Sequence, residues 1–188
     1  MSSISPSMLY LYEPDQIGPL PELPPDFEVS GVNEKTKQLF ESIKNGNSVS
    51  FEESVAKADI EAIDTDERTP IIWAARYGRV AMISQLIAFG ADVNAASKYR
   101  CTALMWTARN GNLSAMKALL NAGANINAKN DDNDTALHEA TRFNCKEAVE
   151  VLLEGTGIDT SVKNKNMHTA LDEAKLRGYK QIIELLTK

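Results

Sequence analysis

The chain has 188 residues, 43% hydrophobic and 24% charged, which suits a globular protein of one domain or one repeat array. No stretch approaches the roughly 20 apolar residues that cross a bilayer, and two cysteines are too few for a disulfide scaffold. The net charge of −6 argues against nucleic acid as the partner. Composition therefore predicts a cytoplasmic protein with free thiols, or one that works in the cytosol of a host cell.

Residues 1–33 differ in composition from the rest of the chain. They hold six of the seven prolines and five acids, without a Lys or Arg. This density of proline excludes a helix or a central strand, so an extended or disordered segment is predicted. Leu, Ile, Tyr and Phe side chains are spread through residues 9–28 and are available as anchors. Three interpretations are open: a solvated leader, a segment that packs along the rest of the protein, or a short motif for a third protein.

After residue 33 the chain follows a period of 33 residues. Thr69, Thr102 and Thr135 are each 33 residues apart, and Gly78 and Gly111 keep the same spacing. Threonine is a good N-cap for a first helix, and glycine ends such a helix in the left-handed conformation. Apolar residues at helical spacing then indicate a second helix. Each period therefore predicts two helices joined by a turn.

Both ends of this array are atypical, as terminal units of a repeat protein should be. Residues 34–63 fit a first unit whose Glu- and Lys-rich helix suits a solvent-facing cap. The last unit has Thr169 and Asp172 at the spacing of a capping box. We predict an all-α solenoid over residues 34–188, with hairpin-like loops and about five helix-turn-helix units. Their approximate ranges are 34–63, 64–96, 97–129, 130–163 and 164–188.

These segments resemble the ankyrin repeat. The family pattern is T-P-L-H-x-A-A, then G, then a second helix ending in L-L, and then G-A-D-V-N-A. Two segments match it: TPIIWAARYGRVAMISQLIAFGADVNA and TALMWTARNGNLSAMKALLNAGANINA. A third copy, TALHEATRFNCKEAVEVLLEGTGIDTS, keeps the typical histidine as His138. The resemblance covers residues 34–188. It implies a curved stack of helix pairs that binds other proteins, with His138 hydrogen-bonded to turn backbone.

No arrangement of residues indicates catalysis or a bound cofactor. The sequence has no phosphate-binding glycine loop and no nucleophile motif. Its two histidines and two cysteines lack the spacing of a zinc site. Asp131, Asp132 and Asp134 lack the glycine and the closing glutamate of a calcium loop. We therefore expect a non-enzymatic protein without cofactor or metal, which binds neither nucleic acid nor membrane.

Candidate partner-binding positions follow from the repeat register, because the turn tips and the exposed face of each first helix line the concave side. Arg76, Arg109 and Arg142 are equivalent positions and should form a ladder. Arginine and aromatic residues are enriched at binding hot spots. Alternatively, these arginines are solvated residues that favour a helix C-terminus. Trp73 and Trp106 are better explained by packing but stay candidates. The full set is Asp66, Arg68, Trp73, Arg76, Tyr77, Lys98, Tyr99, Trp106, Arg109, Asn110, Asp131, Asp132, Asp134, Arg142 and Phe143.

These features predict a protein–protein interaction module that acts as an adaptor or stoichiometric inhibitor through its concave groove. An acidic, apolar ligand would suit the arginine ladder, and residues 9–28 of the same chain are an internal candidate. Two variants stay open: an immunity protein or inhibitor that neutralises a toxin or enzyme, and an effector that acts in a host cell. An enzyme with an unrecognised site is a remote alternative.

Overall fold

The computed structural model describes residues 33–188. In this range there are ten α-helices and no strand, which confirms the predicted all-α class. The helices are α1 (Glu34–Asn45), α2 (Ser48–Val55), α3 (Pro70–Arg76), α4 (Val80–Ala88), α5 (Ala103–Arg109), α6 (Leu113–Asn121), α7 (Ala136–Arg142), α8 (Lys146–Leu153), α9 (Ala170–Arg177) and α10 (Lys180–Leu186). None of them has the length and apolar content needed to cross a membrane.

The helices stack as successive pairs. Each odd-numbered helix packs against the even-numbered helix that follows it and against the odd-numbered helices of neighbouring pairs, and the even-numbered helices form a second row in the same way. The result is the predicted repeat solenoid. Each predicted unit range encloses one pair, but the exact unit limits stay a prediction. The predicted limit between residues 1–33 and 34–188 also stays a prediction, since residues 1–32 lie outside the described part of the chain.

The first helices begin and end largely as the sequence predicts. Thr169 accepts a hydrogen bond from the Asp172 backbone N–H at 3.2 Å, and Asp172 accepts one from the Thr169 N–H at 2.9 Å, which confirms the capping box. Gly78 has φ 66° and Gly111 has φ 65°, the left-handed conformation expected after a first helix. Thr69 differs, because its hydroxyl has no hydrogen-bond partner.

Neighbouring turn tips are joined to one another. Lys98 N donates to Asp66 O at 2.8 Å, and Asp131 N donates to Tyr99 O at 3.1 Å. Further along, Lys165 N donates to the carbonyl oxygen of Asp132 at 2.9 Å. Backbone hydrogen bonds therefore fix the spacing of successive tips, so the surface that they present is largely formed before any partner arrives.

The core changes in character along the array. The fully buried aromatic side chains among the described residues belong to the first two pairs: Phe40, Phe51 and Trp73. The last two pairs also bury polar and charged side chains: Asn130, Asp134, His138, Glu139, Asn164 and Glu173. Such groups are tolerated inside a protein only when they are hydrogen-bonded or paired. Fully buried aromatic rings thus belong to the first two pairs, while buried charged side chains occur both near the start of the array, as Asp64 and Arg68, and towards its end.

Candidate protein-binding surface

Four side chains, from α3, α5 and the residue after α7, form an alternating stack of cations and aromatic rings. The Arg76 guanidinium lies over the Trp106 ring, 4.9 Å from its centroid. The Arg109 guanidinium lies 5.3 Å from the same centroid and 4.1 Å from that of Phe143. All four residues are partly exposed. We call Arg76, Trp106, Arg109 and Phe143 the stacked strip; each such contact contributes about 0.5–1 kcal/mol at an exposed site.

The two arginines of the stacked strip form no ion pair with a carboxylate among residues 33–188. Every ion pair within residues 33–188 involves other basic side chains. Burial, together with the positive charges of Arg68 and Arg109, lowers the pKa of Arg76. A guanidinium in that environment is stabilised by any anion that approaches it. The stacked strip is therefore a cationic surface that no described acid neutralises.

Arg142, predicted as the third rung of the ladder, is not available in the same way. Its Nη2 donates to Asp134 Oδ2 at 2.6 Å and its Nη1 to Glu139 Oε1 at 3.2 Å. Although burial lowers the pKa of Arg142, the two carboxylates raise it well above its usual range. Glu139 occupies the position that Trp106 holds one unit earlier. The ladder is therefore corrected to two open arginines and one that is neutralised internally.

Arg68, Trp73 and Asp134 were candidates for partner contact, but the structure buries all three. Asp134 forms an ion pair with Arg142. Arg68 and Trp73 both contact Asp64. The Asp64 Oδ2 atom accepts a hydrogen bond from Arg68 Nε at 2.8 Å and one from Trp73 Nε1 at 2.9 Å. Sequence reasoning missed Asp64. A signal was present, because it holds the turn position that Asn130 holds two periods later.

The remaining candidates surround the stacked strip. Tyr77 is partly exposed and packs against Trp73 with ring centroids 5.6 Å apart. Asn110 is exposed, and its Nδ2 donates to the carbonyl oxygens of Ala75 and Arg76 at 3.2 and 3.1 Å, which ties α5 to α3. The candidates on the turn tips are exposed or partly exposed: Asp66, Lys98, Tyr99, Asp131 and Asp132.

A small cavity lies beside the stacked strip. Its lining includes Cys101, Met105, Trp106, Arg109 and Glu139, and its volume of about 10 Å³ is close to the minimum for one water molecule. Trp106 Nε1 and Glu139 Oε2 have no hydrogen-bond partner from residue 33 onwards, and burial raises the pKa of Glu139. Trp73 is held by a hydrogen bond to Asp64, and no described residue provides an equivalent acceptor for Trp106. The Trp106 side chain is therefore fixed by fewer contacts than that of Trp73.

His138 makes the backbone contact that the family resemblance implies. Its Nε2 lies 3.1 Å from the carbonyl oxygen of His168, and Thr135 N–H donates to its Nδ1 at 3.3 Å. A ring nitrogen that accepts from a backbone N–H is unprotonated, so this geometry requires the neutral imidazole. His138 thus has a structural role in joining one turn to the next.

We expect the His138 imidazole to titrate below its ordinary pKa of about 6.5. Burial lowers this pKa, and the charge of Arg142 adds to the effect, although Asp134 and the hydrogen bond to His168 oppose it. Its contribution to stability is therefore present above about pH 6.5 and lost as the pH falls through the lowered value. An NMR titration of both imidazoles would measure it, and a His138 pKa at or above 6.5 would contradict the assignment.

A protein-family model described as "Ankyrin repeats (3 copies)" matches residues 39–130 and 108–188. The protein belongs to the ankyrin-repeat family. No curated protein matches the chain significantly. Ankyrin repeats are generally protein–protein interaction modules and are typically non-enzymatic. Within residues 33–188, no cluster of three or more His, Cys, Asp or Glu side chains is arranged to hold a metal ion. In ankyrin-repeat proteins, partner recognition depends on the side chains at the surface of the repeat scaffold.

Proposed function

We propose that this ankyrin-repeat protein is a non-enzymatic adaptor or stoichiometric inhibitor whose partner binds across the stacked strip. The observation that carries this proposal is the pair of arginines, Arg76 and Arg109, that flank Trp106 and form no ion pair within the described part of the chain. Tyr77, Asn110 and the exposed turn tips form the rim of the same surface. A cytoplasmic location accords with a chain of only two cysteines, too few for a disulfide scaffold.

The chemistry of the stacked strip favours a partner that presents carboxylates next to apolar side chains. Stacking uses the flat face of a guanidinium and leaves its N–H groups available for paired hydrogen bonds to a carboxylate. The rings also hold each arginine in place before binding, so less side-chain entropy is lost on association. Half-buried Trp106 and Phe143 then provide apolar area for the partner to cover. Arginine and tryptophan are the residue types that dominate binding hot spots.

Replacing both arginines with glutamine, Arg76→Gln with Arg109→Gln, should weaken partner binding at least about 100-fold, since each hot-spot arginine contributes about 2 kcal/mol or more. The matched control is Lys117→Gln with Lys180→Gln, two exposed residues of the even-numbered helices. A partner is first captured by the full-length protein, and its affinity for each variant is then measured by calorimetry. Circular dichroism establishes that every variant is folded.

The proposal fails if the arginine variant binds the partner as tightly as the control variant does. It also fails if binding is lost equally in both, because a general loss of positive charge would then explain the result. Loss in the arginine variant alone supports the stacked strip as the contact surface.

A further inference from the structure

We propose that the stacked strip has an intramolecular ligand, the acidic segment of residues 9–28, which must be displaced before a partner binds. This inference rests on the proposed function, because it assigns a regulator to the same surface. The surface and the segment carry opposite charges. Arg76 and Arg109 form no ion pair among residues 33–188, while one segment of the same chain holds acids without bases.

The charge of residues 9–28 is complementary to that of the stacked strip. Residues 9–28 carry five acids and no Lys or Arg, whereas the rest of the chain holds 21 acids and 20 bases and is nearly neutral. Arg76 and Arg109 form no ion pair among residues 33–188. Opposite charges attract one another more strongly at the effective dielectric constant of a protein surface than in bulk water. Partly buried charges are also screened less by salt than fully exposed ones.

The apolar side chains of the segment match the rings of the stacked strip. Its acids stand next to large apolar residues, as in the runs LYLYEPD at 9–15 and LPELPPDFE at 20–28. A carboxylate on Arg109 would place such a neighbour beside Trp106 or Phe143. Prolines already restrict the backbone of the segment, so its docking costs less conformational entropy than that of an ordinary chain.

The connection is long enough for this contact. Helix α1 begins at Glu34 and packs against α3, which carries Arg76. Packed helices lie about 8–10 Å apart, so the three steps from α1 to α7 cover about 30 Å. The 20 residues from 9 to 28 span up to about 65 Å at about 3.3 Å per residue when extended. The segment can therefore follow the whole stacked strip.

Tethering makes even a weak contact effective. A short flexible connection holds a ligand at an effective concentration in the millimolar range. A segment whose intrinsic dissociation constant is about tenfold below that effective concentration would occupy the surface about nine-tenths of the time. A partner with higher affinity then displaces it, and its apparent affinity is reduced by the fraction of surface that is already covered. The segment thereby sets a threshold of affinity that selects among partners.

Photo-crosslinking tests the contact in the full-length protein. A benzophenone amino acid replaces Leu20, the protein is irradiated as a monomer, and the crosslinked peptides are identified by mass spectrometry. The expected products join residue 20 to peptides of α3, α5 or α7. Their yield should fall at least tenfold in Arg76→Gln with Arg109→Gln and stay unchanged in Lys117→Gln with Lys180→Gln.

Crosslinks to the even-numbered helices, or a yield that the arginine variant leaves unchanged, would overturn the inference. Crosslinked dimers in place of crosslinked monomers would assign the contact to a second copy and overturn it as well. Partner binding that depends on the two arginines, without any crosslink to the stacked strip, would reject the intramolecular ligand and leave the proposed function standing.

A second measurement does not depend on the arginine variant. The five acids of residues 9–28 are replaced by their amides in the full-length protein, and a synthetic peptide of the unaltered residues 9–28 is added as a fluorescent probe. The peptide should bind this variant at least tenfold more tightly than it binds the unaltered protein, whose surface is already covered. Equal affinities would contradict intramolecular docking.

Discussion

Asp64→Ala should lower the free energy of unfolding by about 3–5 kcal/mol, because it leaves a buried arginine without its main counter-charge. The Asp64 carboxylate accepts four hydrogen bonds at 2.8–2.9 Å, from the backbone N–H groups of Asp66 and Arg68, from Arg68 Nε and from Trp73 Nε1. Its side chain is 1% exposed. One substitution thus removes four hydrogen bonds and leaves Arg68 with Asp66 as its remaining carboxylate partner. Urea denaturation followed by circular dichroism measures the loss.

Asp131→Ala is the matched control for this experiment. Asp131 is an exposed aspartate on a turn tip two units further along, and its carboxylate makes no ion pair with any residue from 33 to 188. Its loss should change stability by no more than about 0.5 kcal/mol. If the two variants lost stability equally, the hydrogen bonds to Asp64 would not be the cause.

Arg142→Ala and Arg109→Ala should separate stability from binding, although the two arginines hold equivalent positions in the repeat. Arg142 pairs with Asp134 and Glu139, whose side chains are 3% and 5% exposed, so its removal leaves two buried carboxylates uncompensated. We expect a loss of about 3–5 kcal/mol in unfolding free energy. Arg109 contributes only its contacts with two rings, and its removal should cost about 1–2 kcal/mol.

Chemical denaturation and partner titration of the same two variants provide the measurement. Arg109→Ala should weaken binding while the protein stays folded, and Arg142→Ala should lower the urea midpoint far more. Comparable midpoints for the two variants would show that Asp134 and Glu139 do not depend on Arg142. In that case the three arginines would form the uniform ladder that their spacing suggests.

The sequence predicts the fold well because helix limits depend on local signals that recur. Gly78 and Gly111 occur at a fixed spacing, and each has the left-handed backbone that ends a first helix. The capping box of Thr169 and Asp172 is likewise decided by residues three positions apart. Signals of this kind require no knowledge of what lies in the next unit.

The surface is predicted less well because it depends on residues that do not recur. Trp73 and Trp106 are equivalent, yet Trp73 packs edge-on against Phe40 with ring centroids 5.2 Å apart and binds Asp64, whereas Trp106 lies between two arginines. The equivalent position in the next unit is Glu139, which forms an ion pair with Arg142. A period shows which positions are equivalent, but the neighbours across units decide which of them reach solvent.

The unequal burial of apolar side chains at the two ends of the array determines the end at which unfolding begins. The stability of a solenoid is approximately the sum of its units and the interfaces between neighbours. Helix α10 buries only Ile182 fully, while α1 and α2 bury two aromatic rings. Amide hydrogens of α9 and α10 should therefore exchange with solvent fastest, and those of α3 and α5 slowest. Fraying would begin at α10, far from Arg76 and Trp106, so a partly unzipped molecule would still recognise its partner.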